Sequence, residues 1–157
     1  SMREFLSRFD NLIILKSFTK LYAMAGIRLG YCLCYDEELL REIRSSGQEW
    51  SVSSLAENAG LAALREEGYV SELRSLVKSE RERVVKELNA MGIDRVYGEA
   101  DYLLFYAKEG LADELENRGI LLRRCENYSG LGSNWFRIGL KKREDNDILL
   151  KAMKEVL

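Results

Sequence analysis

The sequence predicts an α/β fold, on three observations. The run Asn11-Leu12-Ile13-Ile14-Leu15 reads as a continuous apolar strand, of the kind covered on both faces by parallel neighbours and helices. After Ser53, apolar residues recur at helical spacing through two long stretches. Beyond Gly92 the texture turns to short apolar segments and ends in a closing helix. Strands that alternate with helices and finish on a helix make a small α/β unit.

Taken in order, residues 2–9 read as a short helix end, followed by the strand at 11–15. A polar, glycine-containing stretch covers 17–26, and a second strand is expected over 28–35. Asp36 suits the N-cap of a helix reaching about Ser45, and Ser51 or Ser53 suits the cap of the next, which extends to about Ala63. A long helix is expected from Tyr69 to about Met91, with Leu73, Leu76, Val77, Val84, Val85 and Leu88 inward. Its run Lys78-Ser79-Glu80-Arg81-Glu82-Arg83 reads as a solvated outer face. Further strands are expected at 102–106, 120–123 and 135–140, with a helix at 111–118. The closing helix runs from Arg143 to Val156, its inner residues Leu149, Leu150, Met153 and Val156. The first two strands have too few neighbours in the sequence to be covered, so they are expected to form the edge of a sheet whose remainder lies elsewhere.

Composition narrows the chemistry. The chain has 157 residues, 46% of them apolar, and a formal charge of −2, which gives no general attraction to nucleic acid or an anionic membrane. No apolar run approaches the roughly 20 residues of a membrane span. Three cysteines make no disulfide framework, so a reducing cytoplasm is the expectation. Cys32 and Cys34 share one face of a strand, which suits apolar packing rather than metal binding. There is no histidine, which removes Ser-His and Cys-His nucleophile pairs and most zinc sites. A proton-transfer base must then be Lys, Asp, Glu, Cys or Tyr.

The segment Ser17-Phe18-Thr19-Lys20-Leu21-Tyr22-Ala23-Met24-Ala25-Gly26-Ile27-Arg28-Leu29-Gly30 carries the most chemistry. Ser17 and Thr19 hydroxyls can donate to a phosphate oxygen, and the planar Arg28 fork can hold two oxygens. Gly26 and Gly30 allow close backbone approach. Lys20 would then lie beside the phosphate, within reach of a carbonyl carbon on the same ligand. Phosphate, aldehyde and lysine together are the arrangement used with pyridoxal phosphate (PLP).

This stretch resembles the Schiff-base motif of fold-type I PLP enzymes, the aspartate-aminotransferase superfamily. Its wording is closest to histidinol-phosphate aminotransferases and threonine-phosphate decarboxylases. The resemblance implies Lys20 as the catalytic lysine, with Ser17, Thr19 and Arg28 contacting the cofactor phosphate; Ala25 stands where the family often has proline. A second segment, Arg123-Arg124-Cys125-Glu126-Asn127-Tyr128-Ser129-Gly130-Leu131, resembles the same branch. Arg137, inside an apolar strand, needs an anion, and a bidentate carboxylate suits its geometry. An Asp or Glu of the chain itself could also supply that anion. The resemblance implies that Arg137 clamps the substrate carboxylate and that Arg123 meets a substrate phosphate. It assigns no role to Arg124, whose position is often acidic in the family. Trp50-Ser51-Val52-Ser53 resembles the segment that joins the two domains.

The resemblance implies the last strands of the PLP-enzyme large domain, residues 1–50, followed by the α/β C-terminal small domain, residues 51–157. It implies a PLP-dependent aminotransferase of class I/II acting on an amino acid or phosphorylated amine, or a decarboxylase of the threonine-phosphate kind, homodimeric when intact. The portion that would hold the phosphate-binding turn, the ring-stacking aromatic and the Asp facing the pyridine nitrogen is not in this sequence. The expectation is therefore a segment of an enzyme, with weak PLP binding at most and no activity of its own. Ser17-x-x-Lys20 also matches the nucleophile motif of penicillin-recognising acyltransferases, but their Lys-Thr/Ser-Gly strand motif and Ser-x-Asn are missing.

Overall fold

The computed structural model describes residues 2–157 and divides into two compact units, one ending at Val70 and one running from Ser71 to Leu157. The sequence places a domain boundary after residue 50. The helix that follows, with its small buried face, lies in the first compact unit.

The first unit starts with a 3-10 helix, Met2–Arg8, then strand β1 (Ile14–Ser17), the one-turn helix α1 (Phe18–Leu21), a 3-10 turn (Ala25–Ile27) and strand β2 (Gly30–Leu33). Helices α2 (Glu37–Ser46) and α3 (Ser54–Arg65) follow. Both caps read from the sequence form: Asp36 Oδ1 accepts the amides of Glu38 at 2.8 Å and Leu39 at 3.1 Å, and Ser53 Oγ accepts that of Ala56 at 3.1 Å. Each satisfies amides the first helical turn leaves without partners, worth about 1 kcal/mol. The buried face of α3 is Ala56, Gly60 and Ala63. Gly60 is small by need, because a Cβ there would stand 2.5 Å from Leu29 Cδ2.

Strands β1 and β2 correct one expectation. The apolar run asked for parallel neighbours and cover on both faces, and with so few neighbours in the sequence it was expected at the edge of a sheet; the edge is seen, the parallel pairing is not. Instead β1 begins at Ile14 and pairs antiparallel with β2, Ile14 opposite Leu33 and Ser17 opposite Gly30. Leu15 is 79% exposed. An apolar run specifies burial only when chain is available to bury it, and among the described residues β1 has one strand neighbour.

The second unit holds most of helix α4 (Tyr69–Ala90), then β3 (Val96–Tyr97), β4 (Tyr102–Tyr106), α5 (Leu111–Glu116), β5 (Arg123–Arg124), β6 (Trp135–Gly139) and α6 (Arg143–Val156). The strands form an antiparallel sheet in the order β3-β4-β6-β5. Alternation along β4 and β6 sends Leu103, Phe105, Phe136 and Ile138 into the core. There they meet Val84 and Leu88 of α4, Leu111 and Leu115 of α5, and Leu150 and Met153 of α6. The α/β class read from the sequence is the one observed. Two strands differ. The two-residue β3 has too little periodicity to be read in advance. The strand expected over 120–123 shrinks to Arg123–Arg124, because the Ile120 amide closes the end of α5 on the Leu115 carbonyl at 3.0 Å.

The charged run of α4 is the larger correction. Glu80 is not on a solvated face: it is 4% exposed. Its carboxylate takes two bonds from Arg83 Nε, at 3.1 and 3.2 Å, and one from Arg83 Nη2 at 2.6 Å. It also accepts from Asn146 Nδ2 at 2.8 Å. Asn146, buried in α6, accepts the Lys141 amide at 3.1 Å and donates to the Lys141 carbonyl at 2.9 Å. Arg83 continues to Asp147 at 2.7 Å. The bonds from Arg83 hold the Glu80 carboxyl below its ordinary pKa, against burial, with help from Asn146 and the charges of Arg83 and Arg143.

Because the folded pKa lies below the unfolded one, this stabilisation is complete above the unfolded pKa and is lost as pH falls through the folded value. Urea unfolding from neutral to acid pH is expected to show stability falling in the acid range. A Glu80→Ala chain, which leaves the half-buried Arg83 and the buried Asn146 with less to pair, is expected to lose about 3 kcal/mol at neutral pH. Its stability should depend less on acid than that of the parent.

Candidate functional site

A helix of four residues cannot hold itself, since nucleation fixes several dihedrals for one hydrogen bond. The turn that carries Lys20 is nevertheless built, by anchors on three sides. Ser17 caps α1, its Oγ accepting the Thr19 amide at 3.1 Å and donating to Thr19 Oγ1 at 2.7 Å. Phe18, 4% exposed, buries its ring within the first unit, and its amide donates to the Leu29 carbonyl at 3.1 Å. At the far end the Leu21 carbonyl accepts the Tyr69 hydroxyl at 3.0 Å, across 48 residues of sequence. The Tyr69 ring stacks on Tyr22 at 5.6 Å, and Tyr22 on Phe18 at 5.1 Å.

The loop back to β2 is held in costly backbone. Ala23 and Arg28 have φ of 53° and 57°, a left-handed conformation that costs a residue with a Cβ about 1 kcal/mol or more. Gly30 does what the sequence suggested: a Cβ there would sit 2.8 Å from the Lys16 carbonyl oxygen, so glycine lets β2 lie close beside β1. Gly26 does not, since nothing stands within 4 Å of the Cβ it lacks.

The hairpin end therefore gathers Ser17, Thr19 and Lys20 on one turn, with Arg28 two residues before the glycine that pairs with Ser17. Lys20 and Arg28 are exposed. Neither has a carboxylate partner among the described residues; Arg28 Nη1 has a 3.4 Å bond to the Ala25 carbonyl. Two hydroxyls, an amine and a guanidinium, with open space at Gly26, form a donor set that fits a phosphate-bearing aldehyde.

In the second unit Arg123 and Arg137 stand opposite one another in β5 and β6. Both line a cavity of about 510 Å³, whose wall also includes Ile120, Leu122, Lys141 and Leu149. Arg137 is half-buried and has no carboxylate partner among the described residues; its guanidinium lies over the Tyr102 ring, 5.1 Å from the centroid. The alternative that an Asp or Glu of this chain pairs with Arg137 is thus not what is seen. Arg123 donates to Asn127 Oδ1 at 3.1 Å and lies 5.8 Å from the Tyr128 ring. Arg124, next in the strand, is bound by Asp113 at 2.8 Å and Glu116 at 3.7 Å, a structural pair. Cys125 is buried, which raises its thiol pKa, while the charges of Arg137 and Arg123 pull it down.

A lysine turn at a hairpin end, followed by an antiparallel sheet with inward helices and paired arginines, defines a segment of an aminotransferase fold. The model for aminotransferase class I and II matches residues 1–153, and the chain belongs to that family. It is 34% identical over 155 residues to histidinol-phosphate aminotransferase 2 of Archaeoglobus fulgidus, covering 98% of this chain and 45% of that protein. It is also 34% identical to the threonine-phosphate decarboxylase of Salmonella typhimurium, over 92% of this chain and 41% of the relative. The crystal structure of the Clostridium acetobutylicum histidinol-phosphate aminotransferase superposes with a TM-score of 0.92 at 31% identity, covering 99% of this chain and 48% of that one. The chain spans less than half the length of these relatives.

Sequence reasoning singled out Ser17, Thr19, Lys20, Arg28, Arg123 and Arg137. The structure gathers the first four in one unit and the last two in the other. Sequence reasoning missed Tyr69 and Tyr102, which sit far along the chain from the residues they serve, and gave no role to Tyr128, which it read only as part of the 123–131 motif. Tyr69→Phe, which deletes only the hydroxyl, is expected to cost about 1 kcal/mol in urea unfolding. Gly30→Ala, which forces a methyl toward the Lys16 carbonyl, is expected to cost about 1–3 kcal/mol. Unchanged unfolding midpoints would remove these anchors from the account of the lysine turn.

Proposed function

We propose that this chain supplies the lysine turn and the anion-binding arginines of a PLP-dependent aminotransferase acting on an amino acid or a phosphorylated amine. One observation carries the reading: Ser17, Thr19, Lys20 and Arg28 lie at one hairpin end, and among the described residues neither Lys20 nor Arg28 has a carboxylate partner. In the intact enzyme, residues 1–50 belong to the larger cofactor-binding domain and residues 51–157 to the smaller one. The intact enzyme works as a homodimer in the cytoplasm, a reading supported by the family likeness and by three cysteines that all remain free thiols.

The Thr19 hydroxyl and the Arg28 fork donate to phosphate oxygens, joined by Ser17 once its hydroxyl turns from Thr19 Oγ1, which fixes the aldehyde end near Lys20. When bound, PLP supplies a conjugated ring that takes up the electron pair left at the substrate Cα. Lys20 Nζ, as a free amine, takes the Cα proton and returns it on the path to product. Arg137 holds the substrate carboxylate with two parallel bonds, and Arg123 meets a phosphate at the other end of the substrate.

The likeness to a threonine-phosphate decarboxylase, equal in identity to that of the aminotransferase, supports a second reading. There the carboxylate leaves as carbon dioxide, and Lys20 delivers a proton to Cα. Release of carbon dioxide by the intact enzyme would select it.

Incubating the chain with PLP, reducing with borohydride and mapping the labelled peptides tests the core of the proposal. Lys20 is expected to be labelled several-fold faster than Lys16, with inorganic phosphate slowing it, and Lys20→Arg should abolish the selectivity. Label spread evenly over the surface lysines would refute the assignment.

A further inference from the structure

We infer that Tyr102 and Tyr128 are positioning residues that hold Arg137 and Arg123 by their ring faces, so that both guanidinium groups keep their full charge for an incoming anion. The inference rests on the reading above, in which these two arginines bind the substrate.

An arginine can be ordered in two ways. A carboxylate partner fixes it strongly but occupies its forked N–H edge and cancels its charge. An aromatic face attracts the cation through the ring quadrupole and leaves the edge of the guanidinium plane free to donate. This chain uses both modes; Arg8 over Phe5 at 5.7 Å and Arg95 over Tyr106 at 5.1 Å also rest on rings, and what sets Arg123 and Arg137 apart is that they line one cavity. Arg83, Arg118 and Arg124 are each held by carboxylates, Arg124 by Asp113 and Glu116. Arg123, the adjacent residue of the same strand, and Arg137, paired with it across the sheet, have none among the described residues. Their partners are neutral: the Tyr102 ring at 5.1 Å, the Tyr128 ring at 5.8 Å and the Asn127 side-chain oxygen at 3.1 Å.

Strand register explains how the ring reaches its cation. Tyr102 stands opposite Gly139 and Arg137 opposite Leu104, so Tyr102 and Arg137 are diagonal neighbours on the face turned away from the core. Gly139 offers Tyr102 no side chain to pair with, and the ring leans to the guanidinium. Diagonal neighbours on a sheet are within reach for long and aromatic side chains. Tyr102 accepts or donates no hydrogen bond through its hydroxyl among the described residues, which leaves the ring as the part that acts. The two arginines line one cavity with Lys141 and one acidic residue, Asp145, which forms an ion pair with neither arginine, so the charged lining is three cations to one carboxylate.

The test uses inorganic phosphate as probe and the full chain, with Arg137 and Arg123 followed through their Nε–Hε nuclear magnetic resonance signals. Phosphate is expected to move both signals in the parent chain. Tyr102→Leu is expected to weaken phosphate binding roughly fivefold, while Tyr102→Phe, which keeps the ring, stays near the parent value. Tyr128→Leu should act on the Arg123 signal in the same sense. Without phosphate, Tyr102→Leu is expected to shift and broaden the order of the Arg137 signal, and Tyr102→Phe is not. The thermal unfolding of each variant reports whether the fold is kept, and the leucine–phenylalanine contrast isolates the ring. If phosphate moves neither signal in the parent chain, the substrate-anion reading fails. Positioning is then judged on the phosphate-free signals alone. An Arg137 equally ordered in the leucine variant and the parent overturns the inference, whatever phosphate does.

Discussion

The carboxylate of Glu80 dictates the arrangement of the second unit. A charge withdrawn from water is tolerated only when its lone pairs are taken up, and here one arginine and one asparagine do so. Asn146 cannot serve Glu80 without also being fixed at Lys141, so a single polar node joins α4, α6 and the connection that leaves β6. The apolar core around Phe105, Phe136, Leu88 and Met153 supplies most of the burial, but burial is non-directional. The polar node adds the directional element, because its bonds form in only one relative placement of the two helices.

The lysine turn of the first unit illustrates a related constraint. Four helical residues and a loop with two left-handed, non-glycine residues have little local reason to persist. They persist because Phe18 is buried, Ser17 caps, and Tyr69 closes the last carbonyl from a distance. Strain kept in place by surrounding contacts is common where a side chain must be presented for chemistry. Exposed apolar residues lie in the same unit, Leu15 at 79% and Trp50 at 95%.

The two arginines extend the same logic to charge. Guanidinium groups held by carboxylates build structure, as Arg83 and Arg124 do, whereas those resting on rings remain available. The difference lies in the acceptor and not in the arginine. Residue type therefore says little about which arginine binds a ligand.

Much of this was legible in the sequence, for local reasons. The caps at Asp36 and Ser53, helix α6 over 143–156 and strand β4 over 102–106 follow from spacing and capping chemistry that act within a few residues. The candidate set Ser17, Thr19, Lys20 and Arg28 was legible because its donors sit within twelve residues of one another. What the sequence could not determine depended on partners distant along the chain. Glu80 read as a surface charge because nothing near it announces Asn146, 66 residues away. The apolar run at 11–15 read as a doubly covered strand because hydropathy reports what a segment would bury, not what is present to cover it. Tyr102 and Arg137 read as separate residues until the register of β4 and β6 set one beside the other. Periodicity and capping are local and survive in one dimension; charge pairing and ring contact are set by where the backbone brings remote residues together, and tertiary structure alone decided them.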